Sequence, residues 1–324
     1  MSKVVKKTTK NIMIYSVSPF AISLLIALAL NQKQETSNIT KSIPEKTNIE
    51  LMNEKILQTD ITSIKESFSI TPSNIFLQEL ESSIVEQVNS LSKGTMGVYY
   101  KNLRTEEIIE INSNVSFPPA STFKFYTALL TLLSIEKGDL SLSNSVTLSQ
   151  ALYVPYGSVY TRANIGNSYT ISNILYNMIA GSCNTGQSML FARLKRENID
   201  SRLLSDLGLK ETSLKDFKTT PFEMAQTLEK LYEGNILSEE HRQLLIGLMN
   251  KSSTTDRIRA GLPKGTLVAN KGGTLTGSKH DVAIVSSLNG DYILAIYTKD
   301  INESEAVGKI KDISKLVWEA NDNL

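Results

Sequence analysis

The stretch FPPASTFK, residues 117–124, followed by an apolar run from Phe125 to Leu133, decides the fold of this chain. The two prolines favour an extended approach, and the run that stops at Gly138 predicts a buried helix beginning beside Ser121. Because positions i and i+3 share a helix face, the Ser121 hydroxyl and the Lys124 amine are expected side by side. A desolvated lysine can activate a hydroxyl, so the pattern indicates a nucleophilic serine.

Two further motifs distinguish this serine from Ser90–Lys93 and Ser134–Lys137, which share the Ser-x-x-Lys spacing but are interpreted as solvated helix ends. Ser182-Cys183-Asn184 lies between two helical patterns, and alone it would be typical of a helix cap. Lys271-Gly272-Gly273-Thr274 is expected where a strand ends, with a cation for a substrate carboxylate and glycines that let a backbone approach. Alone, this motif would be typical of any strand end or hairpin turn.

The composition excludes several classes of function. With 34 basic and 33 acidic residues the formal charge is +1, which gives no indication of nucleic-acid binding. His241, His280 and the lone Cys183 are too few for a typical zinc site, so neither a metal nor another cofactor is expected. A single cysteine also excludes an intrachain disulfide.

The N-terminus predicts export. Four lysines precede an uncharged, mainly apolar stretch, Asn11 to Gln32, whose length suits a bilayer. Residues 1–32 are therefore interpreted as a membrane anchor with the rest of the chain outside. The alternative is a signal segment cleaved near Ala27-Leu28-Ala29, which would give a secreted protein.

The remaining chain divides into a polar linker, residues 33–74, and a folded domain, residues 75–324. In the domain, apolar residues at helical spacing precede Gly94, and a strand hairpin is expected from Met96–Tyr100 and Glu107–Ile111. After the Ser121 helix, six helices are predicted in the segments 147–151, 170–180, 185–197, 200–207, 221–233 and 238–250. Three strands (267–271, 281–288, 292–299) and a final helix (304–321) follow.

Together and in this order, the three motifs resemble those of the serine β-lactamase and penicillin-binding protein superfamily. The likeness is greatest to the class A branch and extends to segments such as NMIAGSCNTG, TTDRIRAGLP and VANKGGT, over about residues 75–322. The resemblance implies an α/β (α+β) fold, in which helices flank an antiparallel sheet beside an all-helical subdomain. The active site would lie between these two parts.

The resemblance also implies a role for each motif residue. Ser121 would be the acylated nucleophile, Lys124 its base or proton partner, and Ser182 the group that passes a proton to the leaving nitrogen. Asn184 would bind the substrate amide, while Lys271 would attract its carboxylate beside Gly273. The backbone N–H groups of Ser121 and Thr274 would form the oxyanion hole, in which one donor is typically worth about 10²–10³ in rate.

Three departures from the family pattern affect this interpretation. Cys183 stands where aspartate is usual, and it is expected to be structural, although a nucleophilic thiol is an alternative. Gly272 replaces a hydroxyl residue, which Thr274 in the adjacent turn is expected to substitute. As part of this second departure, the neighbouring strand lacks the usual arginine, and Lys279 or His280 falls near that place; the favoured interpretation of His280 is an ordinary strand-end residue.

The third departure is a short segment before Thr219-Thr220-Pro221 that lacks the family's loop glutamate, the group that activates water for deacylation. Glu211 lies too early, and Asp216 is the only acid near the missing position. The resemblance therefore implies a D-alanyl-D-alanine peptidase that β-lactams acylate at Ser121. The alternatives are a β-lactamase with an atypical deacylating group and a non-catalytic module that binds the cell wall.

Overall fold

The computed structural model describes residues 72–321 of the chain. The predicted anchor or signal segment at 1–32, and the linker at 33–74 apart from its last three residues, lie outside the described residues. Within the described part, no helix combines the length and the apolar character needed to cross a membrane.

An antiparallel sheet of five strands forms the centre of the domain, in the spatial order Ile108–Ile111, Thr95–Asn102, Tyr292–Lys299, Ser278–Val285 and Val268–Leu275. The predicted hairpin supplies the first two strands, and the C-terminal part supplies the other three, as expected. The strands are β1 Thr95–Asn102, β2 Ile108–Ile111, β5 Val268–Leu275, β6 Ser278–Val285 and β7 Tyr292–Lys299. Two short strands, β3 Ser145–Thr147 and β4 Ser168–Thr170, pair separately.

Helices flank the sheet and fill the middle of the sequence, which confirms the expected α+β class. They are α1 Pro72–Asn89, α2 Phe123–Glu136, α3 Ile171–Ile179, α4 Asn184–Arg193, α5 Ile199–Leu207, α6 Pro221–Tyr232, α7 Glu239–Asn250 and α8 Glu303–Asn321. Most ends agree with the sequence pattern to within a few residues. The helix predicted to continue to residue 197 ends at Arg193, because Lys195 adopts a left-handed φ of 57°.

The two faces of the sheet bury separate apolar cores, because successive strand residues point to opposite sides. Tyr100 and Leu294 face one side, where α1 and α8 cover them, while Tyr99 and Ala295 face the helical part. The sequence of α2 is apolar nearly all round, and the helix is correspondingly buried in the second core. The buried position of α2 fixes the place of the Ser121 segment.

The helix predicted at 147–151 is wrong. Residues Ser145–Thr147 form strand β3, in which only Val146 is buried, and the chain then bends through a turn. The backbone of Leu148 continues the pairing, since it donates to Asn167 O and accepts from Gly166 N. An exposed–buried–exposed alternation fits a strand rather than a helix, and the partner β4 lies too far along the sequence to be evident from local pattern.

The expectation that Lys271 to Thr274 mark a strand end and turn is also corrected. Strand β5 continues through all four residues to Leu275, paired with β6 on one side only. Its free edge lies against the turn Ala120–Thr122. A β-carbon at Gly273 would lie 3.1 Å from both Ala120 Cβ and Pro119 O, so the absence of a side chain permits this close approach.

Candidate active site

Ser121 lies in a single 3₁₀ turn, Ala120–Thr122, that leads directly into α2. Ala120 has a left-handed φ of 47°, an uncommon conformation for a residue with a side chain and one that often occurs at functional sites. The buried Thr122 hydroxyl anchors the turn, because it lies 2.6 Å from Pro119 O and 2.8 Å from the Tyr297 hydroxyl. The nucleophile candidate is thus held rigidly where the helix begins.

Lys124 lies beside Ser121 as the sequence predicts. Its Nζ donates to Ser121 Oγ at 2.7 Å and to Asn184 Oδ1 at 2.6 Å. The side chain is only 1% exposed, and burial lowers the pKa of Lys124 to about 8. No carboxylate within residues 72–321 is hydrogen-bonded or ion-paired to this amine. The amine can therefore lose its proton near neutral pH, as a base for Ser121 requires.

Ser182 lies between two lysines. Its Oγ is 2.9 Å from Lys271 Nζ and 3.5 Å from Lys124 Nζ. Lys271 is fully buried, and burial together with the nearby Lys124 charge lowers the pKa of Lys271 to about 7. A continuous series of donors and acceptors thus runs from Ser121 Oγ to Lys271 Nζ, and Ser182 is placed to relay a proton between the amines.

Asn184 contacts the catalytic lysine, whereas the adjacent Cys183 caps a helix. The Asn184 amide accepts from Lys124, and its Nδ2 donates to Tyr156 O at 3.0 Å, so one side chain ties two walls of the site together. Cys183 is fully buried, and its Sγ accepts from Gly186 N at 3.3 Å as the N-cap of α4. The cysteine therefore fulfils a structural role, as the sequence analysis expected.

A cavity of about 660 Å³ opens in front of the nucleophile. Ser121, Lys124, Asn184 and Thr274 are among the residues that line it. Thr274 belongs to the free-edged strand β5, which approaches the Ser121 turn at Gly273. Thr274 therefore follows directly after the residue at which strand and turn meet, and its backbone N–H stays the predicted second donor of the oxyanion hole.

A buried cation at this part of the sheet is Arg257, a residue that none of the three sequence motifs contains. Its guanidinium, 5% exposed, donates to Gly273 O at 2.9 Å and to Thr274 Oγ1 at 2.7 Å. Lys279 instead pairs with Glu303 at 2.8 Å. The only available signal was an arginine in TTDRIRAGLP, the segment that precedes strand β5 in the chain.

His280 is not a second cation. Its ring is fully buried at 4.7 Å from the Tyr297 ring, and Nδ1 accepts from Thr298 N at 3.1 Å. Burial lowers the pKa of His280 to about 3, so the imidazole is neutral at physiological pH. It is a core residue at the strand, as the plainer interpretation of the sequence held.

The segment before Thr219 is a short hairpin-like loop. The backbones of Ser213 and Lys218 exchange two hydrogen bonds, and Glu211 pairs with Lys218 at 3.4 Å. Asp216 is exposed, and its neighbour Phe217 lines the cavity instead. Neither acid of this loop reaches Ser121 or Lys124 among the described contacts, so neither is placed to activate water on an acyl group.

The buried Glu223 holds this loop in place through hydrogen bonds. The carboxylate of Glu223, which is 7% exposed, accepts from Lys210 N at 2.6 Å, Glu211 N at 2.9 Å and Thr212 Oγ1 at 2.7 Å. Three hydrogen bonds use the acceptor capacity of this carboxylate for structure. The loop is consequently held in a defined conformation rather than left as a mobile flap.

Comparisons with known proteins agree with this site. Residues 79–321 match the beta-lactamase enzyme family. Beta-lactamase VEB-1 from Pseudomonas aeruginosa is 26% identical over 279 residues, which cover 78% of this chain and 93% of that protein. Beta-lactamase 3 from Bacillus cereus is 26% identical over 245 residues, covering 69% and 76%.

Solved structures show the same architecture. A mutant of PBP-A, in an acyl-enzyme complex with penicillin G, superposes with a TM-score of 0.71 at 26% identity and covers 76% of this chain and 97% of its own. The TLA-1 extended-spectrum beta-lactamase gives a TM-score of 0.68 at 25% identity, covering 75% and 98%. Because the family match spans most of the sequence and contains all the motifs described above, this chain belongs to the beta-lactamase enzyme family and is a serine hydrolase.

Proposed function

We propose that this protein is a penicillin-binding D-alanyl-D-alanine peptidase of the cell wall, which β-lactams acylate at Ser121. The observation that carries the proposal is the missing deacylation base. The nucleophile and its amine partner are in place, but no carboxylate of the described residues contacts Ser121 or Lys124. Glu303, which also lines the cavity, is engaged with Lys279.

Acylation follows from the contacts of the nucleophile. Neutral Lys124 accepts the proton of Ser121 Oγ, 2.7 Å away, while Oγ bonds to the carbonyl carbon of the substrate. The carbonyl oxygen becomes negative and is stabilised by the backbone N–H groups of Ser121 and Thr274. When the C–N bond breaks, Ser182 gives its proton to the leaving nitrogen and regains one from a neighbouring lysine. The product is a serine ester.

Deacylation separates a peptidase from a β-lactamase. A peptide substrate releases its terminal D-alanine, and the vacated space admits water to the ester. An opened β-lactam keeps its leaving nitrogen attached, so water needs a positioned base to attack from another side. Because the short loop offers no such base, the ester formed with penicillin should persist.

The second candidate function is β-lactam hydrolysis, favoured by relatives that are themselves named beta-lactamases. It requires a deacylating group other than the loop acids, and Asp216 is the first residue to test. Family membership supports an enzyme over the third alternative, a non-catalytic module that binds the wall.

Intact-mass spectrometry of the full-length protein mixed with penicillin G and followed over time tests the proposal. We expect an adduct with the mass of the whole β-lactam that persists for many minutes and is absent from a Ser121→Ala variant. In parallel, a peptide ending in D-Ala-D-Ala should release D-alanine in a reaction that prior treatment with penicillin abolishes.

Other outcomes would point elsewhere. A fleeting adduct with steady consumption of penicillin identifies a β-lactamase, and Asp216→Asn should then lengthen the lifetime of the adduct. An enzyme that neither forms an adduct nor releases D-alanine contradicts the proposal. Ligand binding retained in Ser121→Ala would, in that case, favour the binding module.

A further inference from the structure

Gly272 lacks a side chain for a specific reason: Thr254 occupies the space. A β-carbon at residue 272 would lie 2.4 Å from Thr254 Oγ1, 2.5 Å from its Cγ2 and 2.8 Å from its Cβ. These distances are far below ordinary contact, so a side chain at 272 and the threonine at 254 exclude one another. The two positions are therefore complementary, and a hydroxyl is present at this place although the strand residue carries none.

The surrounding contacts fix the position of Thr254. Its backbone carbonyl accepts from Asn270 Nδ2 at 3.0 Å, and its backbone N–H donates to Ser252 Oγ at 3.2 Å. The preceding residue, Ser253, donates to Ala180 O at 2.8 Å, which ties the segment to the end of α3. Thr254 is thus attached both to strand β5 and to the loop that carries Ser182.

The hydroxyl itself is available. The side chain of Thr254 is half-buried, and its Oγ1 makes no hydrogen bond to any other residue in the range 72–321. The hydroxyls of Ser121, Ser182 and Thr274 each have a protein partner. A half-buried hydroxyl without a partner is suited to a ligand atom that completes its hydrogen bonding.

The charges beside this hydroxyl favour an anion. Lys271 precedes Gly272 in the strand, and Arg257 lies three residues after Thr254; both side chains are at most 5% exposed. Asp281 is the buried carboxylate nearest in the sheet, paired in register with Gly272, and it is already bound to Asn270 and Ile258 N. Arg257 Nε also lies 3.5 Å from the exposed carboxylate of Asp256, whereas Lys271 forms no ion pair within residues 72–321. A ligand anion beside Lys271 would therefore be stabilised by that lysine and by the nearby guanidinium.

We propose that Thr254 Oγ1 donates a hydrogen bond to the carboxylate of the substrate, next to Lys271, and thereby replaces the hydroxyl absent from Gly272. Thr274, expected from the sequence to take this place, accepts from Arg257 at 2.7 Å and keeps its own O–H to donate, so Thr254 is proposed as a second hydroxyl beside it. The inference rests on the proposed function, because it identifies the residue that binds the carboxylate of the acylating substrate.

The test compares penicillin G with its methyl ester, which lacks the anionic carboxylate, as acylating agents of the full-length protein. Thr254→Val removes the hydroxyl and keeps the shape. Loss of a hydrogen bond to a charged group should lower the rate about 10- to 100-fold. We therefore expect the acylation rate constant for the free acid to fall by this factor in Thr254→Val. The rate for the methyl ester should be nearly unchanged, and Thr254→Ser should restore the selectivity for the free acid.

A paired exchange provides a second, independent measurement. Gly272→Thr alone should abolish acylation by the free acid, because its β-carbon collides with Thr254. Combining Gly272→Thr with Thr254→Gly removes both the collision and the hydroxyl at 254, and it returns a hydroxyl to the strand. We expect the double variant to recover the selectivity for the free acid that Thr254→Gly lacks.

The outcomes separate the two proposals. If wild-type protein is acylated but Thr254→Val slows the free acid and the ester equally, or slows neither, the role of Thr254 is overturned and the proposed function stands. Failure of the exchange variant to recover selectivity, although it folds with an unchanged circular dichroism spectrum, also counts against that role. If neither compound acylates the wild-type protein, the proposed function fails, and the assignment of Thr254 fails with it.

Discussion

Two buried lysines on either side of Ser182 make the chemistry of the site depend on pH near neutrality. Burial lowers the pKa of Lys124 to about 8 and, together with the charge of Lys124, that of Lys271 to about 7. Catalysis requires that only one of the two lysines is protonated. Lys124 must be neutral to accept the Ser121 proton, and Lys271 must be charged to attract a carboxylate. In the free enzyme the higher pKa of Lys124 places a single proton mainly on that amine. A substrate carboxylate beside Lys271 shifts the proton to Lys271, because an opposite charge stabilises the protonated form.

We therefore expect a bell-shaped pH dependence of the second-order acylation rate constant. Below the lower of the two pKa values both amines are protonated, and Lys124 can no longer act as the base. Above the higher value both are neutral and the attraction for the carboxylate is lost. The maximum should lie between about 7 and about 8, as measured with a fluorescent penicillin from about pH 5 to about pH 10.

Lys271→Arg is the matched control for this profile. An arginine stays charged throughout the range, so the decline on the alkaline side should disappear while the rise on the acid side remains. A wild-type rate that is constant across the range would contradict the assignment of the two lysines. Loss of the acid limb in Lys271→Arg would show that the rise belongs to another group.

At the scale of elements, the cap of α4 holds the Ser182 loop in place. The first turn of α4 lacks acidic residues, and Cys183 accepts the Gly186 N–H in place of the usual oxygen cap. Ser182, directly before the cap, has a left-handed φ of 53°, so the backbone is constrained where the relay hydroxyl must be positioned. A helix end thus determines the geometry of a reacting group.

Substitution of Cys183 tests this structural role. Serine is a better N-cap than cysteine, so Cys183→Ser should keep or raise the free energy of unfolding and retain acylation of Ser121 by penicillin. Cys183→Ala leaves the Gly186 N–H without a partner and should cost about 0.5–2 kcal/mol, measured by urea denaturation. Loss of acylation in Cys183→Ser, with stability intact, would instead support a reactive thiol.

At the scale of the whole molecule, we propose that residues 1–32 tether the enzyme to the cytoplasmic membrane with the catalytic domain outside. The lysine-flanked apolar stretch and the polar linker behind it support this arrangement. Such a tether would suit an enzyme that acts on the adjacent cell wall.

Fractionation of cells that produce the full chain tests the tether. We expect the protein in the membrane fraction, at its full mass, and digestible by protease added to spheroplasts. A protein shortened by about the first 30 residues in the medium would indicate a cleaved signal segment instead. Protection from added protease would contradict export in either form.

The sequence alone determined the family, the fold class and the three motifs. These features are local, since the Ser-x-x-Lys spacing places two side chains on one helix face and an apolar run predicts a buried helix. The contact of Lys124 with Ser121 was therefore predictable. A structural Cys183 was expected from the family's aspartate at that position, whereas its role as the N-cap of α4 became evident only from the structure.

Only the tertiary structure decided which distant residues complete the site. Arg257 reaches strand β5 from a separate segment, and Thr254 fills the space above Gly272; neither contact follows from a spacing in the sequence. The turn expected after Lys271 is likewise a strand, because pairing with β6 overrides the local preference of two glycines. Local pattern reports nearest neighbours along the chain, whereas burial, pKa and the choice of an anion-binding hydroxyl depend on groups brought together by packing.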